Sequence, residues 1–396
     1  MRLVLFALLL PAFTVGQTWT QIPDFPDHER DDGAVFVIGN QAYCGTGLLP
    51  WWSSTRDMHV LNLDNDMWSE GNDLPEGEER QYVAAFASET AGYFVGGYIG
   101  SNNFLNDVWK YNPASGQWMD LGTCPFDERG GALTWVLNGT AYVIGGRNAD
   151  SNALDEVWAF DLATETWSER NPLPMGGRWR SAGAVLNGVG YLIHGRDENG
   201  HFQKGLYAYD SENDSWDWQS DFPGDGRSHA AMAAIGENLL VFGGSDSLNQ
   251  FHGDLWQFHP PSGMWTQLED IPAPGRRGGI HFAHGNDFYF ITGLAAGSEH
   301  LKEAWKYGWP SSVNTLPEKE PLLVFPNPAN DHLRIAEIDG SPGQVTIFNA
   351  AGQPVWHEPT GESTDRISLQ HLPNGWYRVV FENAQHRRAA SIVIAR

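Results

Sequence analysis

Residues 129–146 read RGGALTWVLNGTAYVIGG, and residues 157–167 continue with VWAFDLATETW. Small residues lead into a first strand, and Asn138-Gly139 is a strong signal for a two-residue hairpin turn. A second strand follows and ends at the glycine pair. The VWAFD segment predicts a third strand, and Thr166 to Glu169 predicts a fourth. Four antiparallel strands within 49 residues have the size of one propeller blade.

The same pattern returns six times along the chain. Its glycine pair, or a substitute for it, recurs at intervals of 50, 49, 49, 49 and 49 residues. The six copies are Thr46-Gly47, Gly96-Gly97, Gly145-Gly146, His194-Gly195, Gly243-Gly244 and Thr292-Gly293. A tryptophan recurs in step at Trp19, Trp68, Trp118, Trp167, Trp216 and Trp265. An arginine recurs at Arg30, Arg80, Arg129, Arg178, Arg227 and Arg276. Three residue types that share one period predict an all-β, six-bladed propeller.

The sixth blade lacks a fourth-strand tryptophan of its own. One period beyond Trp265 the residue is Asn314, whereas Trp19 has no blade upstream of it. We therefore expect the N-terminal strand around Trp19 to complete the sixth blade. Closing the ring in this way removes open sheet edges.

These repeats resemble the kelch family over about residues 17–308. The resemblance rests on the glycine pair, the fourth-strand tryptophan, the Pro-x-x-x-Arg lead-in and a V-W-x-Y/F-D/N element, as at Val108–Asn112 and Val157–Asp161. It implies a kelch-type β-propeller. The departures from the pattern are Thr46, His194 and Thr292 in the glycine pairs, and His59 and Tyr207 in the third strands. They single out the first, fourth and sixth blades as places where the inner face can differ.

The N-terminus and the charge indicate export. Arg2 is followed by an apolar run from Leu3 to Leu10, so we expect residues 1–16 to be a signal peptide. No later segment is apolar enough for a transmembrane span. The formal net charge of −25 argues against a nucleic-acid partner, because such a surface repels phosphate. We expect the propeller to occupy residues 17–310 and a polar linker residues 311–321.

Residues 322–396 predict seven short strands, and therefore a small Ig-like β-sandwich. Their motifs resemble the C-terminal sorting domain of the type IX (Por) secretion system. The matching positions are Pro326, Asn327, Pro328, Gly352, Gly375 and Tyr377. The resemblance implies a bacterium of the Bacteroidota type, the type IX machinery as a partner, and delivery to the cell surface or beyond it. The alternative is an Ig-like module that only packs against the propeller.

The repeat arginines are the first candidates for ligand binding. Blade geometry brings Arg30, Arg80, Arg129, Arg178, Arg227 and Arg276 near one mouth of the central channel, together with the loops between second and third strands. Guanidinium groups there could bind a carboxylate. The alternative is a structural role, in which each arginine pairs with carbonyls and carboxylates of the chain.

Trp51 and Trp52 are the second candidates, because the other blades carry polar residues in that loop. Adjacent exposed aromatics can stack on sugar rings or hold a partner. Packing over the first blade, which has His59 in place of the third-strand aromatic, is equally compatible with the sequence.

The sequence contains no recognised catalytic, cofactor or metal motif. His194, His229, His281 and His284 have no recognised ligand spacing. We therefore predict a secreted or surface-displayed binding module for a protein or a glycan. The first alternative is a carbohydrate-active enzyme on an acidic sugar, similar to the kelch-type sialic acid mutarotase. The second is a structural component of a surface layer.

Overall fold

The computed structural model describes residues 17–100, 102–150, 152–308, 322–336, 343–349, 354–360, 367–382 and 387–396. The chain forms two compact units, Met1–Pro310 and Ser311–Arg396. The predicted signal peptide and linker lie outside the described residues. The described part of the chain contains one short 3₁₀ turn, Ala296–Ser298, and otherwise only strands as regular structure. None of its helices is long and apolar enough to cross a bilayer.

The first unit is a β-propeller, and its described residues form six antiparallel sheets. The N-terminal strand is β1 (Thr18–Ile22). Blade 1 contains β2 (Ala34–Ile38), β3 (Gln41–Gly45), β4 (Met58–Asn62) and β5 (Met67–Glu70). Blade 2 contains β6 (Ala84–Ala87), β7 (Gly92–Tyr98), β8 (Phe104–Asn112) and β9 (Gln117–Thr123). Blade 3 contains β10 (Leu133–Leu137), β11 (Thr140–Ile144), β12 (Val157–Asp161) and β13 (Thr166–Arg170).

Blades 4 and 5 repeat this order, whereas the sheet of blade 6 has five strands, one of which is β1. Blade 4 contains β14 (Ala182–Leu186), β15 (Val189–Ile193), β16 (Gly205–Asp210) and β17 (Ser215–Asp221). Blade 5 contains β18 (Ala231–Ile235), β19 (Asn238–Phe242), β20 (Leu255–His259) and β21 (Met264–Gln267). Blade 6 contains β22 (Arg276–Arg277), β23 (Ile280–His284), β24 (Asp287–Ala295) and β25 (Glu299–Gly308).

The N-terminal strand closes the ring, as the sequence predicts. Strand β1 pairs antiparallel with β25, with Trp19 opposite Tyr307. Trp19 is buried, and its ring lies 5.0 Å from that of Phe242 in blade 5. Its indole nitrogen donates to the Glu269 carbonyl at 3.0 Å. The first strand of the unit therefore joins the last two blades.

The glycine pairs explain how one blade attaches to the next. The second glycine of each pair donates its N–H to the carbonyl of the repeat arginine in the following blade, at 2.8–2.9 Å. The six bonds run from Gly47 to Arg80, Gly97 to Arg129, Gly146 to Arg178, Gly195 to Arg227, Gly244 to Arg276 and Gly293 to Arg30. A Cβ on Gly145, whose φ is 62°, would lie 2.3 Å from the Arg178 carbonyl oxygen. A side chain at Gly145 would therefore collide with blade 4, whereas Thr46, His194 and Thr292 occupy the equivalent position of three other blades.

A second closed circle of hydrogen bonds surrounds the channel axis. It is formed by the residue two positions after each repeat arginine, always in the left-handed region with φ between 55° and 67°. Each of these N–H groups donates to the carbonyl of the equivalent residue in the preceding blade, at 2.6–3.1 Å. The members are Asp32, Tyr82, Gly131, Arg180, His229 and Gly278. We call this set the axial ring.

The second unit is a small β-sandwich. Its strands are β26 (Leu323–Phe325), β27 (His332–Ala336), β28 (Gly343–Asn349), β29 (Pro354–Thr360), β30 (Ile367–Ser368), β31 (Gly375–Glu382) and β32 (Arg387–Ile394). Two sheets, β26-β27-β30 and β29-β28-β31-β32, share one buried apolar core that includes Leu333, Val345 and Ile392. All seven strands lie where the sequence predicts them.

The proline-rich start of this unit is tied to its last strand. The Asn327 side chain donates to the Ser391 carbonyl at 2.9 Å and accepts from the Val393 N–H at 3.0 Å. Tyr377 is buried and donates its hydroxyl to the Pro373 carbonyl at 2.9 Å. Of the predicted sorting positions, Gly352 lies outside the described residues.

Candidate functional site

The six repeat arginines are buried side chains, with exposed fractions of 0–5%. Five of them pair with a carboxylate 27 residues further on, in the third strand of the same blade or just before it. The shortest contacts are Arg30–Asp57 at 2.7 Å, Arg80–Asp107 at 2.8 Å, Arg129–Glu156 at 2.6 Å, Arg227–Asp254 at 2.6 Å and Arg276–Glu303 at 2.7 Å. Burial and pairing with a carboxylate thus occupy the guanidinium groups of these five arginines.

The third-strand tryptophan completes this arrangement. In four blades its indole N–H donates to the same carboxylate, as Trp256 does to Asp254 at 2.7 Å. Arg227 also donates to the Gly243 carbonyl of the glycine pair at 2.9 Å. Blade 4 is the exception, since Gly205 stands at the carboxylate position and Arg178 bonds only to nearby backbone, including the Gly177 carbonyl at 2.9 Å. In blades 2, 3 and 5 these hydrogen bonds link the arginine, the carboxylate, the tryptophan and the glycine pair of one blade.

A different set of arginines gathers at the axial ring. The Trp179 ring lies between three guanidinium groups, with centroid distances of 3.9 Å to Arg180, 4.9 Å to Arg147 and 5.8 Å to Arg196. Arg180 also stacks on Tyr82 at 4.5 Å and donates to its hydroxyl. Three positive charges therefore lie close to one indole ring in a protein whose net charge is −25.

A cavity of about 140 Å³ opens beside these residues. Its lining residues come from blades 2, 3 and 4 and are Tyr82, Tyr98, Asn102, Phe104, Gly130, Arg147, Trp179 and Arg180. We call this cavity the arginine pocket. Its walls combine flat aromatic surfaces with hydrogen-bond donors of positive charge.

A buried acidic cluster lies near the pocket and includes Asp32 of the axial ring. The Arg277 guanidinium lies 3.7 Å from an Asp31 oxygen and 4.0 Å from an Asp32 oxygen. His300 lies 3.3 Å from Asp31, and His229 lies 3.8 Å from Asp32. Burial and the Asp31 charge raise the pKa of Asp32 to about 7, against the opposing effect of Arg277 and Arg180. This carboxyl group therefore changes its charge near neutral pH.

Trp51 and Trp52 stand at the edge of the same cluster, with exposed fractions of 56% and 62%. Their tight loop is closed by the Leu49 N–H donating to the Ser53 carbonyl at 3.0 Å. The Trp52 ring lies 5.6 Å from that of His300, and the Trp51 ring 4.9 Å from that of His28. Each indole meets a histidine ring edge-to-face, and more than half of each tryptophan is open to solvent.

The histidine candidates do not form a metal centre among the described residues. His194 is buried against Phe222, and burial lowers its pKa to about 3. One group of described side chains has ligand-like spacing, Asp27, Asp57 and His59. Both oxygens of Asp57 accept hydrogen bonds from Arg30 at 2.7 Å, so an arginine already occupies that position.

The sequence contained signals for most of this site. The carboxylate 27 residues after five of the six repeat arginines is a further recurring feature of the repeats, and it indicates the pairing of those arginines. The ring position two residues after each arginine varies most in chemistry, as Asp32, Tyr82, Arg180 and His229 show. Variation in residue type at this one position of an otherwise regular repeat therefore indicated the axial ring in the sequence.

The fold and the repeat geometry define a kelch-type propeller, and comparison with known proteins agrees. Residues 33–221 and 136–313 match the family described as "KLHDC2/KLHL20/DRC7 Kelch-repeats domain". Together these matches cover more than half of the chain, which belongs to the kelch-repeat family. Residues 323–395 match the "Secretion system C-terminal sorting domain". The chain is therefore a kelch propeller exported through the type IX secretion system to the cell surface or beyond it.

Individual relatives match part of the chain. "N-acetylneuraminate epimerase" of Pasteurella multocida (strain Pm70) is 32% identical over 127 residues, which are 31% of this chain and 32% of the relative. The protein of the same name from Haemophilus influenzae (strain PittEE) is 30% identical over 128 residues, with 31% and 32% covered. The chain thus spans about a third of the length of these curated relatives.

A solved structure shares the fold over a longer stretch. The structure titled "Structure of YjhT" superposes with a TM-score of 0.63 at 21% identity, covering 72% of this chain and 95% of that one.

Proposed function

We propose that this protein is an exported binding module that holds a carboxylate-bearing sugar of a glycan in the arginine pocket. The observation that carries the proposal is the gathering of Arg147, Arg180 and Arg196 around Trp179 in a strongly acidic protein. Guanidinium groups bind carboxylates through paired, charge-assisted hydrogen bonds. These local positive charges can bind an anion even though the protein as a whole is strongly negative.

The aromatic walls favour a sugar as the rest of the ligand. Trp179, Tyr82 and Phe104 offer flat surfaces on which a pyranose ring can lie, with polar groups such as Asn102 beside them. A volume of about 140 Å³ is smaller than the roughly 300–1,000 Å³ of pockets that enclose a whole drug-sized ligand. The pocket therefore accepts one terminal residue of a glycan, and the remainder stays outside.

Trp51 and Trp52 provide a second contact in this proposal. A chain of neighbouring side chains leads from Arg180 through Asp32, Arg277, Asp31 and His300 to Trp52. This series of side chains connects the arginine pocket with the exposed indoles. A glycan longer than one residue would pass over these buried side chains and stack on the exposed Trp52 ring.

Calorimetric titration of the purified chain tests the proposal. The probes are D-glucuronate and N-acetylneuraminate, the second suggested by the name that the curated relatives carry. We expect Arg180→Gln to weaken binding by about 10–100-fold, because a hydrogen bond to a charged group contributes about 1.5–3 kcal/mol. Arg170→Gln, on the outermost strand of blade 3, is the matched control and should leave the affinity unchanged.

Two results would contradict the proposal. One is the absence of binding by either probe at millimolar concentration, and the other is equal affinity of the wild type and the Arg180→Gln variant. Exchange NMR of the bound sugar distinguishes a binding module from an enzyme. Anomers that interconvert only at the rate seen without protein support a module, whereas protein-dependent exchange indicates turnover.

A further inference from the structure

The acidic cluster beside the arginine pocket is built from opposing charges. Asp31 and Asp32 are buried, with exposed fractions of 1% and 6%. The charged and titratable groups that face Asp32 are Asp31, Tyr82, Arg180, His229 and Arg277. Two carboxylates therefore share the field of two guanidinium groups, and the four formal charges cancel when all are ionised.

The contacts within this cluster are long. The Arg277 guanidinium approaches the two carboxylates only to 3.7 and 4.0 Å, beyond ordinary hydrogen-bond distance. Asp31 Oδ1 and Asp32 Oδ2 are buried oxygens with no hydrogen-bond partner among the described residues. The Tyr82 hydroxyl favours the ionised form of Asp32, but the two unpartnered oxygens depend on the positive charges nearby.

An anion in the arginine pocket would compete for those positive charges. Arg180 lines the pocket and also stabilises the Asp32 carboxylate, so it serves both groups. A carboxylate bound to Arg180 adds a third negative charge next to Asp31 and Asp32. The least costly compensation is protonation of one buried carboxylate.

We propose that the arginine pocket takes up one proton with each carboxylate that it binds, and that Asp32 receives this proton from solvent. The proposal rests on the proposed function, because it needs an anion in the pocket. It makes the site a proton-coupled anion receptor whose ligand is a monoanionic sugar acid held together with a proton. Binding is then strongest in mildly acidic surroundings.

The ionisation properties of the neighbours agree with this assignment. Burial and the Asp31 charge already raise the pKa of Asp32 to about 7, and a further negative charge raises this pKa more. Burial and the charges of Arg180 and Arg277 hold the pKa of His229 well below its usual range, so this histidine stays neutral. Burial raises the pKa of Tyr82 well above its usual range, so its hydroxyl stays protonated.

The direction of the pH dependence follows by linkage. Below the pKa of Asp32 in the free protein the proton is already bound, and the affinity for the anion is independent of pH. Above it, each binding event must take up a proton, and the affinity falls by up to about tenfold per pH unit. We therefore expect D-glucuronate to bind at least about tenfold more weakly at pH 8.5 than at pH 6.5.

The number of protons taken up per bound ligand can be measured directly. Calorimetric titration of the purified chain with D-glucuronate at pH 7.5, repeated in two buffers of different ionisation enthalpy, gives this number. We expect uptake of between about half and one proton per ligand. Uptake near zero together with a constant affinity from pH 6.5 to 8.5 would overturn the inference while leaving the proposed function intact. Absence of any binding over this range would contradict the proposed function, and the inference with it.

The Asp32→Asn variant tests whether Asp32 is the group that takes up the proton. Asparagine tolerates the left-handed backbone of position 32, where φ is 55°, so this variant keeps the axial ring geometry. It should bind D-glucuronate with less than about twofold variation between pH 6.5 and 8.5, with no proton uptake, and more tightly than the wild type at pH 8.5. Asp217→Asn, an exposed substitution on β17, should behave as the wild type. Loss of the linkage in Asp31→Asn, with its retention in Asp32→Asn, would contradict the assignment.

Discussion

At the scale of single residues, the repeat arginine is buried, and the residue two positions later belongs to the axial ring. Arg227 is 3% exposed and pairs with both oxygens of Asp254 at 2.6 and 2.7 Å. Arg180 follows the equivalent arginine of blade 4 and lines an open pocket. Arg227 and Arg180 therefore differ in their surroundings, because one is a repeat arginine and the other lies two positions after a repeat arginine.

The exception in blade 4 allows this distinction to be tested. Arg227→Ala removes the guanidinium partner of the half-buried Asp254, which we expect to cost about 1.5–3 kcal/mol of unfolding free energy. Arg178→Ala is the matched control, since no carboxylate pairs with Arg178, and it should cost clearly less. Thermal and chemical denaturation of both variants measure the difference. Equal losses would contradict the structural role of the carboxylate pair, as would loss of D-glucuronate binding by folded Arg227→Ala.

At the scale of elements, the regular features of the sequence predict the blades. The hairpin turn at Asn138-Gly139 has φ of 50° and 78°, the left-handed pair that a tight hairpin requires. Third strand β12 spans Val157–Asp161, the same residues that the VWAFD segment indicates. Local chemistry determines these elements, so one sequence suffices to locate them.

The candidate site was less predictable, because it depends on which side chains the ring brings together. Trp179 and Arg147 are 32 residues apart and meet only through the blade-to-blade contact of blades 3 and 4. Asp32 and Gly278 become neighbours only when the propeller closes. Periodicity predicts the mouth of the channel as the place for a site, but the identity of its residues follows from register and closure.

Strand β1 is the element on which closure depends. Deleting residues 17–22 exposes the edge of β25 and removes Trp19 from its contacts with Phe242 and Tyr307. We expect the melting temperature of the propeller to fall sharply, measured by calorimetry. Trp19→Ala alone should cost about 3–5 kcal/mol, as for other buried large aromatic residues. An unchanged melting curve after the deletion would contradict closure by this strand.

At the scale of the whole molecule, the chain combines two units with separate cores and separate tasks. The sorting domain directs export through the type IX system. The propeller presents an arginine pocket, a buried carboxylate pair and two exposed indoles around one channel mouth. In an extracellular setting these features suit the capture of acidic glycans, and the coupling to a proton would make capture responsive to local pH.

The most direct measurement is a crystal structure of the chain with D-glucuronate or N-acetylneuraminate bound. The account predicts the sugar carboxylate within about 3 Å of the Arg180 guanidinium, with the ring against Trp179 or Tyr82. Asp32 should lie beside the occupied pocket, and the six repeat arginines should keep their carboxylate partners. Density for the sugar elsewhere on the propeller, with the arginine pocket empty, would contradict the central claim.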